Sequence, residues 1–341
     1  MSILATTDAC DVLDVLARLD AIPALERALS RYAPLQQAGL LAPLTAQCLD
    51  YPPFSQQQVQ VDVLQADQLH PVISGNKWFK LKYNLLQALE DGCEELLSFG
   101  GAWSNHLHAL AYLGGLMGVR TQGVVRGEEH TQDATPTLQD ASRYGMALRF
   151  VSRPQFRDYR NQPRPLQQPG RWVIPEGGDN PLGMLGAASM VMQADLDWSR
   201  YSHLVVAVGT GCTFAGLRLA LPSSVMLVGV SALKGTWVGQ AMAERMAGLT
   251  DRNWQLDTSR HRGGFARVDA HLLSFMADFS DNTGIQLEPV YTGKALLALL
   301  EMIQARTIAA GSRVLFVHSG GLQGARPVGA EVNMNPRNFR E

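Results

Sequence analysis

The chain has 341 residues, of which 46% are hydrophobic and 18% charged, and its formal net charge at pH 7 is −2. This is the composition of a globular protein, and the length suits two domains or one large one. Because the charge is nearly balanced and no long basic run is present, we expect neither nucleic acid nor an acidic membrane as a partner.

The N-terminal residues and the cysteines favour a cytoplasmic protein. The N-terminus has acidic residues where a signal peptide would have a basic start and an apolar core, and no apolar run is long enough to span a bilayer. The cysteines have neither the spacing of a zinc site nor that of a disulfide framework. They are Cys10, Cys48, Cys93 and Cys212.

Residues 1–50 are predicted to form an N-terminal extension of amphipathic helices, which ends at the breaker Tyr51-Pro52-Pro53. Beyond it, short apolar runs alternate with helical stretches. This alternation predicts an α/β protein with parallel sheets that helices cover on both faces. The segment Arg153–Arg171, rich in Arg, Gln and Pro, is predicted to be an exposed loop. The apolar runs are Leu96–Phe99, Gln122–Val125, Leu148–Val151, Trp172–Ile174, Leu204–Val208, Val225–Val230 and Val314–Val317. The helical stretches are Asn76–Leu89, Ser104–Met117, Thr137–Tyr144, Leu182–Gln193, Thr213–Ala220, Ala270–Phe279 and Lys294–Arg306.

Four glycine-rich loops follow the carboxyl ends of predicted strands, at Gly100, Gly177, Gly209 and Gly320. In open α/β sheets, ligands bind beyond the carboxyl ends of the strands. These loops are therefore predicted to lie on the ligand side of the sheets.

The segment Gly209–Gly216 joins a predicted strand to a predicted helix and has the character of a phosphate-binding loop. Successive glycines let main-chain N–H groups converge on an anion, and the helix dipole and the hydroxyls of Thr210 and Thr213 would strengthen the attraction. A tight turn without a ligand is the alternative. The spacing differs from the G-x-G-x-x-G of dinucleotide-binding proteins, which argues against a nucleotide-binding oxidoreductase.

Lys77 follows a Gly-Asn turn and opens a long predicted helix. A lysine at this position can simply be solvated, and the helix dipole disfavours its charge. The same positive field, together with Lys80, would lower the pKa of the Lys77 amine and favour the neutral nucleophile. An amine, a phosphate-type loop and several glycine-rich loops together predict a site for a phosphorylated aldehyde, with pyridoxal phosphate as the candidate.

The run Ser104-Asn105-His106 has the pattern of a helix start. Ser104 fits an N-cap, and the free N–H groups after it could bind a substrate carboxylate. His106 and His108 are two residues apart and do not share a helix face, so no metal pair is expected. His318, which follows a strand, could equally be a structural histidine, and Cys212 fits packing better than it fits a nucleophile.

Six segments, taken in order, resemble the pyridoxal-phosphate family that contains 1-aminocyclopropane-1-carboxylate deaminase and D-cysteine desulfhydrase. The resemblance covers about residues 55–325 and leaves the first 50 residues uncovered. The segments are Gly75–Leu81, Gly101–His106, Pro175–Gly183, Gly209–Gly216, Glu288–Lys294 and His318–Gly321.

The resemblance implies the fold type II architecture, like that of the tryptophan synthase β subunit, with two parallel-sheet α/β domains and the cofactor in the cleft between them. The small domain would comprise residues 91–189. The large, cofactor-binding domain would comprise residues 51–90 and 190–341, and residues 1–50 would lie outside both.

The resemblance also assigns roles to residues. Lys77 would hold the cofactor and remove the α-proton of the substrate, with Ser104 as a secondary candidate for that proton. Tyr291 would be a further catalytic residue, stacked near the pyridine ring. Asn105 would hydrogen-bond the ring oxygen of the cofactor, and Lys80 and the glycine loop would hold its phosphate. The implied cofactor-binding set is Lys77, Lys80, Asn105, Gly209, Thr210, Gly211, Cys212, Thr213, Tyr291, Thr292, Ser319 and Gly320. The implied substrate-binding set is Ser104, Asn105, His106 and Phe265.

Two positions depart from the family. After the tyrosine, the cyclopropane deaminase has a glutamate that faces the pyridine nitrogen, whereas this chain has Thr292, as D-cysteine desulfhydrase does. A hydroxyl supports the electron sink less than a carboxylate, which suits β-elimination better than cyclopropane opening. Phe265 stands where the family has a tyrosine close to the substrate, so the hydrogen-bonding or acid–base role of that hydroxyl is lost.

We therefore predict a pyridoxal-phosphate-dependent lyase that releases ammonia and a keto acid from a small D-amino acid, such as D-cysteine or β-chloro-D-alanine. The alternatives are 1-aminocyclopropane-1-carboxylate deaminase activity and a catalytically weak cofactor-binding protein. A homodimer is expected, with no metal.

Overall fold

The computed structural model describes residues 12–325. Cys10, the start of the predicted extension and the end of the predicted large domain therefore lie outside the described residues. Within residues 12–325, ten strands form two sheets. The strands are β1 (Ala46–Cys48), β2 (Gln60–Leu64), β3 (Glu95–Gly100), β4 (Arg120–Arg126), β5 (Ala147–Val151), β6 (Arg171–Val173), β7 (His203–Val208), β8 (Met226–Ser231), β9 (Trp254–Asp257) and β10 (Arg313–Val317).

Thirteen α-helices of the same residues accompany the sheets, and none is long and apolar enough to cross a membrane. They are α1 (Val12–Leu16), α2 (Ile22–Leu29), α3 (Ala33–Gln37), α4 (Pro52–Ser55), α5 (Asn76–Glu90), α6 (Asn105–Met117), α7 (Pro136–Arg143), α8 (Arg153–Asn161), α9 (Pro181–Gln193), α10 (Cys212–Ala220), α11 (Trp237–Arg245), α12 (Ala270–Thr283) and α13 (Thr292–Gln304).

The larger sheet has the strand order β1-β2-β10-β7-β8-β9. Every neighbouring pair is parallel except β1 and β2. In the middle of the sheet, Leu315 of β10 pairs with Asp62 on one side and with Leu204 on the other. Strands β7 and β10 are buried beyond their first residues, as expected for parallel strands with helices on both faces.

The smaller sheet has the order β5-β4-β3-β6, and all its pairs are parallel. Its four strands come between β2 and β7 in the chain, so the smaller sheet is inserted within the larger one. The prediction of an α/β protein with parallel sheets is confirmed. The predicted boundaries at residues 91 and 189 stay predictions.

Two local predictions are wrong. The N-terminal extension is not wholly helical, because Ala46–Cys48 forms the edge strand β1 against β2. The predicted loop after Ser152 begins with helix α8, because a capping box joins Ser152 to Gln155 at its start and the buried ring of Phe156 anchors it. A single apolar anchor in an arginine-rich segment leaves almost no helical period in the sequence.

Helix α9 lies between α5 and α10, and two glycines allow the three backbones to approach closely. A Cβ on Gly186 of α9 would lie 1.8 Å from the carbonyl oxygen of Phe79 in α5. A Cβ on Gly216 of α10 would lie 2.3 Å from the carbonyl oxygen of Met184 in α9. The distance between α5 and α10 therefore depends on the absence of side chains at these two positions.

Candidate active site

Lys77 lies part-buried in the first turn of α5. Gly75, just before the helix, has a φ of 68°, and a Cβ there would lie 1.9 Å from the carbonyl oxygen of Ser319. This close approach joins the start of α5 to the loop after β10. Burial and the charge of Lys80 lower the pKa of the Lys77 amine to about 7, while Glu288 opposes the shift. A large share of the amine is therefore neutral near pH 7.

Asn76 connects Lys77 to the glycine loop. The Lys77 Nζ donates a hydrogen bond to Asn76 Oδ1 at 2.5 Å. Asn76 Nδ2 donates to Thr213 Oγ1 at 2.9 Å, and both Asn76 and Thr213 are buried. Asn76 thus links the Lys77 amine of α5 to the first turn of α10.

Lys80 is one turn further along α5, and its ammonium faces the same loop. Its Nζ lies 3.5 Å from Thr210 Oγ1, to which it donates. A Cβ on Gly177, which has a φ of 68°, would lie 3.8 Å from that Nζ and 3.2 Å from Thr210 Cγ2. Glycine at this position keeps the space between the ammonium and the loop open.

The loop after β7 turns into α10 through Gly211, which caps the helix with a φ of 89°. A Cβ on Gly211 would lie 2.2 Å from Met242 Cε, and one on Gly209 would lie 3.2 Å from Tyr291 Cε1. Cys212 is buried, and burial raises the pKa of its thiol to about 11. Its Sγ donates to the Gly178 carbonyl oxygen at 3.4 Å, so the thiol has the packing role that the sequence favours.

Arg245 connects two of the glycine-rich loops, and sequence reasoning missed it. Its guanidinium forms two hydrogen bonds to the Asp179 carboxylate, at 2.8 and 2.9 Å, and Nη1 donates to the Thr210 carbonyl oxygen at 3.3 Å. Arg245 ends helix α11, which was not among the predicted helices. Only the acidic side chain in the run Gly177-Gly178-Asp179 could have indicated a basic partner.

The predicted carboxylate loop forms the start of α6, with Ser104 as its N-cap. The Ser104 Oγ accepts from the Leu107 N–H at 3.2 Å, so the N-cap prediction is confirmed. The His106 ring is buried and bonds Ser98 Oγ at 2.9 Å through Nε2, and burial, followed by the charges of Lys80 and Lys77, holds its pKa well below the usual range. The ring is therefore neutral, and what His106 offers at the helix start is its main-chain N–H.

Glu288 is a second residue that sequence reasoning did not assign to the site. Its buried carboxylate accepts from the N–H groups of Val290, Tyr291 and Thr292, at 2.6 to 2.7 Å, and thereby caps α13. Burial raises its pKa, against these hydrogen bonds and the Lys77 charge. A Cβ on Gly321 would lie 3.0 Å from Asn105 Nδ2 and 3.2 Å from Glu288 Cγ, so the three residues meet.

Thr292 is fully buried, and its hydroxyl is engaged with the residue that caps its own helix. The Thr292 Oγ1 accepts from the Glu288 N–H at 3.0 Å and lies 3.3 Å from the Glu288 carbonyl oxygen. The hydroxyl is therefore oriented by Glu288.

Tyr291 and Phe265 lie edge to face, with ring centroids 6.0 Å apart. Burial and the charges of Glu288 and Glu176 raise the Tyr291 pKa, so the phenol stays protonated. The Phe265 ring is 52% exposed. Lys294 holds the loop that carries Phe265, because its buried Nζ donates to the Gly264 carbonyl oxygen at 2.6 Å. Phe265 therefore lies at the outer edge of the site.

The loop after β10 completes the arrangement. Ser319 and Gly320 are held against the start of α5, where the Asn76 N–H donates to the Ser319 carbonyl oxygen at 3.2 Å. The buried His318 bonds the Gln286 carbonyl oxygen through Nε2 at 2.7 Å, and its Nδ1 accepts from the Gly320 N–H at 3.4 Å. Of the alternatives for His318, the structural one is correct.

These residues fit a phosphorylated aldehyde cofactor. The aldehyde needs a neutral amine, which Lys77 supplies, and the phosphate needs positive charge and open backbone, which Lys80 and the loop Gly209–Thr213 supply. The buried Asn105 Oδ1 has no hydrogen-bond partner within residues 12–325, as expected of a polar atom that faces a ligand. The arrangement could therefore hold the cofactor between α5, the glycine loop and the start of α6.

Comparison with known proteins agrees with this chemistry. The sequence pattern of the family described as pyridoxal-phosphate dependent enzyme matches residues 43–320. The chain is 29% identical over 272 residues to a putative 1-aminocyclopropane-1-carboxylate deaminase of Thermotoga maritima, covering 74% of this chain and 85% of that protein. It is 26% identical over 322 residues to the D-cysteine desulfhydrase of Klebsiella pneumoniae subsp. pneumoniae, covering 86% and 95%.

A crystal structure of a homologue of 1-aminocyclopropane-1-carboxylate deaminase superposes on this chain with a TM-score of 0.68 at 24% sequence identity. The match covers 84% of this chain and 95% of that chain. The predicted fold type II architecture is confirmed by this likeness and by the two parallel sheets.

Proposed function

Because the chain belongs to the family of pyridoxal-phosphate-dependent enzymes, we propose that it is a lyase that releases ammonia and a keto acid from a small D-amino acid, as D-cysteine desulfhydrase does. The observation that carries the proposal is the Lys77 amine. It has a pKa of about 7 and contacts Asn76 beside the glycine loop. Relatives with the names D-cysteine desulfhydrase and putative 1-aminocyclopropane-1-carboxylate deaminase support this class of reaction.

Pyridoxal phosphate, when bound, supplies an electron sink for the negative charge that develops at the substrate Cα. We assign its attachment to Lys77 and its phosphate to Lys80, Thr210 and the N–H groups that begin α10. Asn105, with its unpartnered Oδ1, is assigned to the ring oxygen. Gly320, like Ser319, would border the cofactor from the loop after β10.

The protein's own groups then position the substrate and move its proton. The N–H groups at the start of α6, next to Ser104, would bind the substrate carboxylate because that helix end has positive character. With a pKa of about 7, Lys77 can accept the α-proton and release it again near neutral pH. Ser104 Oγ is the secondary candidate, although its role as N-cap leaves it less free. The protonated Tyr291 phenol can donate a hydrogen bond but not remove a proton.

Thr292 favours the D-cysteine reaction over cyclopropane opening. Its hydroxyl oxygen accepts a hydrogen bond from the main-chain N–H of Glu288 at 3.0 Å, which orients it. A hydroxyl in this state provides no carboxylate charge to a pyridine nitrogen. 1-Aminocyclopropane-1-carboxylate deaminase activity remains the second candidate, because a relative with 29% identity carries that name.

The cofactor assignment is tested by absorbance and by reduction. Purified protein should be yellow, and borohydride should fix the cofactor on the peptide that contains Lys77. Lys77→Ala should retain its circular dichroism spectrum and lose turnover, and added ethylamine should restore part of the rate. Cofactor fixed on another lysine would refute the assignment.

Substrate choice is tested by keto-acid release. D-cysteine and β-chloro-D-alanine should yield pyruvate, and 1-aminocyclopropane-1-carboxylate should yield little 2-oxobutanoate. Efficient ring opening without D-cysteine turnover would show that the reasoning from Thr292 is wrong. We further propose that the enzyme is cytoplasmic and forms a homodimer. Light scattering tests the dimer and should give twice the 37.2 kDa of one chain.

A further inference from the structure

A cleft of about 640 Å³ opens beside the loop that leads into α6, and four of its nine lining residues are arginines. The side toward the candidate site is formed by Gly101, Ala102 and Trp103, whose indole is 43% exposed. The opposite side is formed by β4, the loop after it and α8. The side chains on that side are Arg126, His130, Arg153, Phe156, Arg157 and Arg160.

The arginines are held in place by ordered structure. Arg153, Arg157 and Arg160 have spacings of four and three residues along α8, so they lie on one face of the helix. Arg126 ends strand β4, and its guanidinium carbon lies 5.7 Å from the ring centroid of the buried Phe156. The cationic face is therefore built on a capped helix and the end of a strand.

The charge in the cleft is not balanced. Arg153 pairs with Glu129 at 3.2 Å, and Arg160 pairs with Glu176 at 3.3 Å. Within the described part of the chain, no carboxylate lies within ion-pair distance of Arg126 or Arg157. Two positive charges in excess thus face one cleft in a chain whose formal net charge is −2.

The cleft adjoins the groups that we assign to the substrate. Gly101 and Ala102 belong to the same loop as Ser104, and a Cβ on Gly101 would lie 3.5 Å from Arg126 Nη2. Glu176, the partner of Arg160, precedes the glycines that keep the space beside Lys80 open. An amino acid whose carboxylate lies at the start of α6 could therefore extend its side chain toward the arginines.

We propose that this cleft binds the anionic end of the substrate side chain, and that the preferred substrates are amino acids with a phosphorylated β-oxygen. The inference rests on the proposed function and specifies its substrate class. A phosphate dianion matches the two unpaired guanidinium groups in charge, and guanidinium binds phosphate through paired hydrogen bonds.

The reaction of such a substrate balances without a further reagent. The Cα–H bond breaks, its electron pair forms the Cα–Cβ double bond, and phosphate leaves with the electrons of the Cβ–O bond. One water molecule then hydrolyses the enamine, so that O-phospho-D-serine and water give pyruvate, ammonia and phosphate.

The test compares O-phospho-D-serine with β-chloro-D-alanine, whose side chain carries no charge when it binds. In the holoenzyme, kcat/KM should be higher for the phosphorylated substrate. Arg126→Gln and Arg157→Gln should each lower the ratio of the two kcat/KM values by about tenfold, through KM, since a charge-assisted hydrogen bond of about 1.5 kcal/mol is lost. Added salt should lower the ratio in the wild type.

Arg120→Gln is the matched control, because Arg120 begins the strand that Arg126 ends and is 70% exposed in its side chain. It should leave the ratio unchanged. Turnover of β-chloro-D-alanine with a ratio that neither cleft variant changes would refute the substrate class and leave the proposed function standing. A yellow holoenzyme that releases pyruvate from neither substrate would refute both.

Discussion

An ion pair between the N-terminal extension and the lysine-bearing helix allows a quantitative test of the fold. Lys82 of α5 is fully buried, and its Nζ lies 2.6 Å from Glu26 Oε1 of α2. The Tyr83 hydroxyl donates to the same oxygen. Burial lowers the Lys82 pKa from 10.5 to about 8, and Glu26 opposes that shift. The carboxylate thus keeps a buried ammonium charged at neutral pH.

Glu26→Gln should destabilise the protein at pH 7, because the Lys82 ammonium loses its counter-charge and must release its proton. With a pKa of about 8, that release costs about 1.4 kcal/mol at pH 7, so we expect a loss of about 1–2 kcal/mol, below the cost of leaving a charge buried and unpaired. Glu94→Gln is the control. It removes an exposed pair with Arg120 at 3.3 Å, and exposed pairs contribute about 0–1 kcal/mol. Urea unfolding at constant pH gives both free energies.

The difference should also depend on pH. The Lys82 pKa is lower in the folded protein than in the unfolded chain, so the folded protein loses this proton as the pH rises through about 8. The attraction to Glu26 is present below that pH and disappears above it. The destabilisation by Glu26→Gln should therefore shrink as the pH rises from 7 through about 8. An equal loss in both variants, or a loss independent of pH, would refute the reasoning.

Three further predictions concern the site. Attachment of pyridoxal phosphate to the apoprotein, followed by absorbance, should accelerate as the pH rises through about 7, because it needs the neutral Lys77 amine. Lys80→Met should move that midpoint upward, and a wild-type midpoint near that of a free lysine would contradict the lowered pKa. Phe265→Tyr should raise kcat/KM for D-cysteine about tenfold if the restored hydroxyl reaches the substrate; an unchanged value would place Phe265 out of its reach. Arg245→Ala should weaken pyridoxal phosphate binding in an equilibrium titration, because the loop at Asp179 loses its connection to the glycine loop, and unchanged affinity would show that this connection is dispensable.

Much of the candidate site could be predicted from the sequence because its chemistry is local. The Gly-Asn turn before Lys77, the glycines of the loop at Gly209 and the N-cap Ser104 each follow a strand or begin a helix, and these positions leave a signal in neighbouring residues. The low pKa of Lys77 was predicted from the helix end and Lys80, and the structure adds burial as its largest cause.

The rest depends on contacts between distant parts of the chain. Arg245 bonds an aspartate 66 residues away, and no sequence period records such a pair. Glu288 begins the segment Glu288–Lys294, which resembles the family. Its contact with the loop at Gly321, however, depends on how β10 and α13 are placed in the fold. Helix α8 was missed because Phe156 is its one buried side chain.

The two glycines around α9 have a consequence for how this site can vary. Gly186 and Gly216 separate the helix of Lys77 from the helix that begins at Cys212, and neither position is among the residues assigned to a ligand. A single methyl group at either one would push the helices apart and widen the space that we assign to the cofactor phosphate. The dimensions of the candidate site thus depend on residues that do not contact the ligand. A relative could keep every contacting residue and still lose affinity for the cofactor through a substitution at one of these two glycines.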